Sequence, residues 1–101
     1  MITVIAEITV KPGRRDAVLE RIHQLLPSVL AEDGCHRYEP YTDVQDQLSW
    51  RKDAPDSIFM LEEWESVAHL EAHLKIEHMN AHRERIKDDV VNVTISVLNK
   101  S

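Results

Sequence analysis

The chain has 101 residues, 43% of them hydrophobic, which bounds it to a single globular domain, residues 1–101, with one small core. Its formal net charge of -6 argues against a general nucleic-acid or anionic-membrane surface, where Lys and Arg dominate affinity by neutralising phosphate. No apolar run approaches the roughly 20 residues that span a bilayer, and the amino terminus opens on strand-like alternation rather than a signal peptide, so a cytoplasmic protein with neither membrane nor nucleic acid as partner is expected.

Residues 2–10 alternate Ile2, Val4, Ala6, Ile8 and Val10 with Thr3, Ile5, Glu7 and Thr9, which predicts a strand with one strongly apolar face. Lys11-Pro12-Gly13 ends it. From Arg14 onward Ala17, Val18, Ile22, Leu25, Leu26, Val29 and Leu30 fall at helical spacing, so a helix should lie on a sheet. Pro27 inside this pattern removes a backbone donor and crowds the carbonyl four residues earlier. A kink or break is expected near Leu26, with the last turn reaching about Glu32. Asp33-Gly34 is a helix stop, followed by a second strand over residues 35–42. Cys35, the only cysteine, excludes an intrachain disulfide framework. It reads as a small buried or turn-adjacent residue rather than a nucleophile, since only His36 and Arg37 stand near enough to stabilise a thiolate.

Residues 43–56 are polar, carry Pro55 and have only Val44, Leu48 and Trp50 as apolar markers, which predicts a long hairpin connection with some local strand. Trp50 would pack on a neighbouring part of the chain, across a dimer interface, or over a pocket mouth. Residues 57–64 alternate Ile58, Met60, Glu62 and Trp64 with Ser57, Phe59, Leu61 and Glu63, a third strand with a carboxylate and an indole on one side. Ser66 is a natural N-cap for a helix over residues 66–74, and residues 76–87 continue or follow it. Over residues 90–98, Val91, Val93, Ile95 and Val97 alternate with Asn92, Thr94, Ser96 and Leu98, a half-buried closing strand. The order is that of a ferredoxin-like α+β fold, βαββαβ, with both helices on one face of a four-stranded antiparallel sheet.

Four of the six histidines, His69, His73, His78 and His82, fall in one stretch, and the pairs 69/73 and 78/82 each share a helical face. Such a pair can chelate a divalent ion, but the metalloprotease version needs Glu where Leu70 and Met79 stand, and no third ligand is indicated, so no metal is expected. His69 and His82 read as surface residues. Leu70 and Leu74 belong to the apolar stripe and carry His73 toward the strand that bears Trp64. There it is either a core-edge imidazole bonded to Glu62 or a backbone carbonyl, or a proton acceptor for a phenolic oxygen. Trp64 is a core anchor or a platform for a flat aromatic ring. Glu62, on the same strand face, would be costly unless bonded to His73, His78 or an arginine. With only Gly13 and Gly34 in the chain there is no phosphate-cradling loop, so neither nucleotide nor flavin is expected as a cofactor.

Glu62-x-Trp64, Leu70-x-x-His73 and His78, together with Val10-Lys-Pro-Gly13 and Glu32-Asp-Gly34-Cys35 before Tyr38, resemble the antibiotic biosynthesis monooxygenase (ABM) domain family over nearly the whole chain. The small quinol monooxygenases belong to that family. The resemblance implies a homodimer joined through its sheets as a dimeric α+β barrel, with a small-molecule cavity between sheet and helices in each subunit. It also implies oxygenation without metal or flavin, because a deprotonated quinol can itself pass an electron to oxygen. Haem-degrading relatives carry an Asn in the first strand with a Trp and a His; Ala6 and His73 stand at the Asn and Trp positions, which speaks against haem, although His82 falls near the haem-side histidine. Relatives that handle small phosphorylated sugars are a weaker match to an acidic chain without a phosphate nest.

The expectation is therefore a cofactor-independent monooxygenase acting on a quinol or hydroxylated aromatic with molecular oxygen. In it His73 is the proton acceptor, Trp64 the ring platform and Glu62 the group that orients the imidazole, while His78, Phe59 and Met79 line the cavity. A non-catalytic dimeric ligand-binding module, or an isomerase using the same histidine as acid and base, would need the same pocket.

Overall fold

A computed structural model describes residues 1–101. The elements are β1 (Ile2–Val10), α1 (Arg15–Leu30), β2 (Cys35–Tyr41), β3 (Ser57–Trp64), α2 (Val67–Lys75), α3 (Glu77–Ile86) and β4 (Val90–Leu98). Every pairing is antiparallel and the strands lie in the order β2-β3-β1-β4, the ferredoxin-like arrangement that the sequence predicts. No helix is long and apolar enough to cross a membrane.

The period of two along each strand decides what meets what. Val4 pairs with Glu62, Ala6 with Met60 and Ile8 with Ile58, while Tyr38 pairs with Glu62 from the other side. These side chains share the face under the helices, and the core is built from them and from Val18, Ile22, Leu25 and Val29 of α1. Pro27 does not break α1, which runs on to Leu30 and stops short of Glu32. The missing donor costs one bond, yet Val29 beyond it is fully buried and holds the last turn on the sheet.

Two further expectations change. Residues 43–56 form no strand; the segment is held instead by Asp43, which accepts from Arg15 at 2.9 Å, from Arg51 at 3.2 Å and from the Ala54 amide at 3.1 Å. Trp50, 81% exposed, packs on nothing within the chain's core. The closing strand is not half-buried: the helices pack over β2 and β3, so Val93, Ile95 and Val97 of β4, on the helix side of the sheet, stay half exposed. The sheet's other face, with Ile5, Phe59, Leu61, Tyr41 and Leu98, carries no helix at all.

Gly34 is the one glycine whose conformation the site depends on. Its φ of +81° is open to few other residues, and a Cβ there would stand 2.4 Å from the His69 ring. This lets the chain turn back under α2 directly after Glu32.

Candidate active site

The turn after α1 aims Glu32 inward. Its amide donates to the Val29 carbonyl at 2.9 Å and its carbonyl accepts from the Cys35 amide at 3.2 Å, and its side chain is only 6% exposed. Both carboxylate oxygens lie 3.0 Å from His73 Nδ1, and Oε2 lies 2.6 Å from His78 Nε2. On one uninterrupted helix two residues five apart would point about 140° away from each other. Here Ile76, with ψ of 149°, is extended and separates α2 from α3, so two imidazoles from different helices reach one carboxylate. Ser66 starts α2 as expected, accepting from the His69 amide at 3.3 Å.

Donation from Nδ1 to Glu32 assigns the tautomer of His73 and leaves Nε2, which has no partner within the chain, as the acceptor. The ring stacks on Trp64, centroids 4.5 Å apart and 36° tilted, and meets Tyr38 edge-on at 5.5 Å. Burial lowers the His73 pKa, with the Glu32 hydrogen bond opposing it, so the imidazole is held toward its neutral, basic form. Burial likewise raises the Cys35 thiol, reinforced by Glu32, as suits a small half-buried residue rather than a thiolate.

Beside them lies a cavity of about 440 Å³ between the sheet and helices α2 and α3. Val4, Ala6, Met60, Leu70 and Met79 give it apolar walls, and it opens past the half-exposed row of β4. Tyr38, Glu62, His73 and His82 are the buried polar groups on its surface, with Arg83 and Lys87 toward the outside. No three His, Cys, Asp or Glu side chains are grouped as metal ligands.

Several sequence-based placements need correction. Glu62 does not orient His73; its Oε1 accepts from the Trp64 indole at 2.9 Å, and Glu32 holds the imidazole instead. Trp64 is fully buried behind His73 and is no wall of the cavity, so its face is not free for a ligand ring. Phe59 pairs with Glu7 and Tyr41 on the opposite face of the sheet, where period-two alternation puts it. His78 bonds Glu32 rather than lining the cavity, whereas Met79 does line it. His82 is not a surface residue: it is 6% exposed, because Met79 and Ile86, three before and four after it, carry it onto the buried side of α3. That spacing was the available signal. Glu32 stands in the Glu32-Asp-Gly34-Cys35 stretch of the resemblance, but nothing local points to its partner His73, 41 residues on.

Burial, reinforced by the charge of Glu32, pushes the Glu62 carboxyl up to about 7, although the Trp64 hydrogen bond works against the shift. A carboxyl whose folded pKa lies above its ordinary 4.5 holds its proton more tightly when folded. Its contribution to stability is complete below about pH 4.5 and is lost as pH rises through about 7. Urea denaturation should therefore show the wild type losing stability relative to Glu62→Gln between pH 5 and pH 8, by roughly 2–3 kcal/mol. Parallel pH profiles for the two proteins would contradict the assignment.

A ferredoxin-like chain with an apolar chamber under its helices, edged by a carboxylate-held imidazole, falls in the class of small α+β domains with a concave site of small-molecule size. Residues 1–85 match the Antibiotic biosynthesis monooxygenase family, and the chain belongs to it. It is 50% identical over 100 residues to "Probable quinol monooxygenase YgiN" of Escherichia coli K12, spanning 97% of this chain and 96% of that one. Among solved structures, PA3566 from Pseudomonas aeruginosa superposes with a TM-score of 0.82 at 29% identity, covering 99% of this chain and 93% of its own. An antibiotic biosynthesis monooxygenase crystal structure does so with a TM-score of 0.82 at 25% identity, covering 100% and 99%.

Proposed function

We propose that the chain is a cofactor-independent monooxygenase acting on a quinol or hydroxylated aromatic, with His73 accepting the hydroxyl proton. The observation that carries this reading is an imidazole fixed by Glu32 at Nδ1, with Nε2 unbonded, on the wall of an apolar cavity. Its 50% identity over 97% of the chain to "Probable quinol monooxygenase YgiN" supports the substrate class. A chamber of about 440 Å³ lies within the usual range for small-molecule sites and has room for a ring system of two or three rings.

In this reading the apolar walls exclude water and His73 takes the proton. The imidazolium that forms stays paired with Glu32, and the quinolate, now electron-rich, passes an electron to oxygen. Trp64 acts from behind, keeping the imidazole in plane and satisfying Glu62. With its pKa near 7, Glu62 can hold a proton at the cavity wall and donate it to a substrate oxygen.

Oxygen uptake with a panel of reduced quinones tests the reading. Glu32→Gln should lower kcat by about 10- to 100-fold with little change in KM, because the amide can still bond Nδ1 but no longer balances the imidazolium. No uptake with any quinol, together with a ligand recovered unaltered from the cavity, would instead favour a binding module.

The reading includes a homodimer. Ile5, Tyr41 and Leu98, each more than 40% exposed, lie on the helix-free face of the sheet, where a second copy would cover them. Sedimentation at micromolar concentration should give twice the chain mass of 11.7 kDa; a monomer would contradict it.

A further inference from the structure

We propose that His82 is a specificity-determining residue that reads a second oxygen function on the substrate, at a place in the cavity distinct from His73. This deepens the monooxygenase reading and rests on it for the chemistry, though not for the recognition. His82 is 6% exposed and lines the cavity, yet no group of the chain hydrogen-bonds either of its ring nitrogens. Of the other buried polar side chains of the site, His73 has Glu32 and Glu62 has Trp64, while the Tyr38 hydroxyl on the sheet floor is, like His82, without a partner in the chain.

A neutral imidazole has one donor and one acceptor, and neither nitrogen of His82 is sealed from the cavity, so whatever enters it, water or a ligand oxygen, must meet them. Burial, with the nearby charges of Arg85 and Arg83 on its own helix and Arg21 on α1, lowers the His82 pKa and holds the imidazole toward its neutral form. Arg83 is engaged elsewhere, donating to the Leu74 carbonyl at 2.7 Å and to Asn80 at 2.6 Å, so it does not supply the missing partner. Glu62 and Tyr38 lie on the sheet floor and Lys87 follows α3; none of them bonds His82.

The break at Ile76 puts His73 and His82 on different helices over one cavity. A ligand with a single hydroxyl can meet His73 and must set bare carbon against His82. One with two oxygens on the same ring system meets both, and a site built to bond an oxygen rejects the analogue that lacks it.

Binding of naphthalene-1,4-diol and of 1-naphthol is to be measured without oxygen for the wild type, His82→Leu and His82→Gln. The wild type should prefer the diol by about tenfold or more, His82→Leu should lose most of that preference through weaker diol binding, and His82→Gln, which keeps a donor and an acceptor, should retain part of it. Equal preference in wild type and His82→Leu, no preference in the wild type, or no binding of either compound overturns the proposal. Oxygen uptake by the same proteins separates the two claims. A His82-dependent preference without uptake removes the monooxygenase reading alone, and uptake with a preference indifferent to His82 removes this one alone.

Discussion

Replacing His73 with alanine should lower quinol-dependent oxygen uptake by about 10²- to 10⁴-fold, the usual range for loss of a positioned general base. The side chain is 2% exposed and packed between Trp64 and Tyr38, so alanine also opens a hole and frees Glu32. His73→Asn separates the effects, since its amide can donate to Glu32 in place of Nδ1 but offers no basic nitrogen to the cavity. Both variants should be inactive, and added imidazole should restore part of the activity of the alanine variant. Because burial lowers the His73 pKa below its ordinary 6.5, the imidazole is already basic at neutral pH. Its protonation should therefore suppress turnover only on the acid side of that value. Uptake within twofold of wild type in His73→Asn would assign the proton to another group, with Glu62 next in line.

The largest effect on stability is expected at Trp64. The indole is fully buried at the end of β3, and its removal to alanine should cost about 3–5 kcal/mol in urea denaturation. Trp64→Phe keeps most of the packing and isolates the hydrogen bond. The Trp64 bond holds the Glu62 carboxyl down against the lift from burial, so the phenylalanine variant should push that carboxyl further up and move the pH-dependent loss of stability to higher pH. A Trp64→Ala loss below about 1 kcal/mol would mean that the ring is not the anchor its burial indicates.

The fold was legible because its signals are local and periodic. Alternation in residues 2–10 and 57–64, the apolar stripe from Val18 to Val29 and the Asp33-Gly34 stop each specify an element without help from the rest of the chain. The approach of Trp64 to His73 was legible too, since a strand end and the helix following it must lie close. What escaped was whatever depends on long-range partners. Glu62 looked like the carboxylate for His73 because both are near in sequence, yet the side chain that reaches Nδ1 comes from the turn after α1. The alternation in β4 predicts a half-buried strand, but burial needs a covering element, and within one chain none lies over its apolar row. Phe59 stands one residue from Met60, so strand parity alone turns it away from the cavity.

The most direct test is a crystal structure with a bound quinol analogue that cannot be oxidised. The account predicts the ring in the chamber between the sheet and helices α2 and α3, with one hydroxyl within about 3.2 Å of His73 Nε2. A ligand seated elsewhere, or lying in the chamber with its oxygens turned away from that nitrogen, would contradict it.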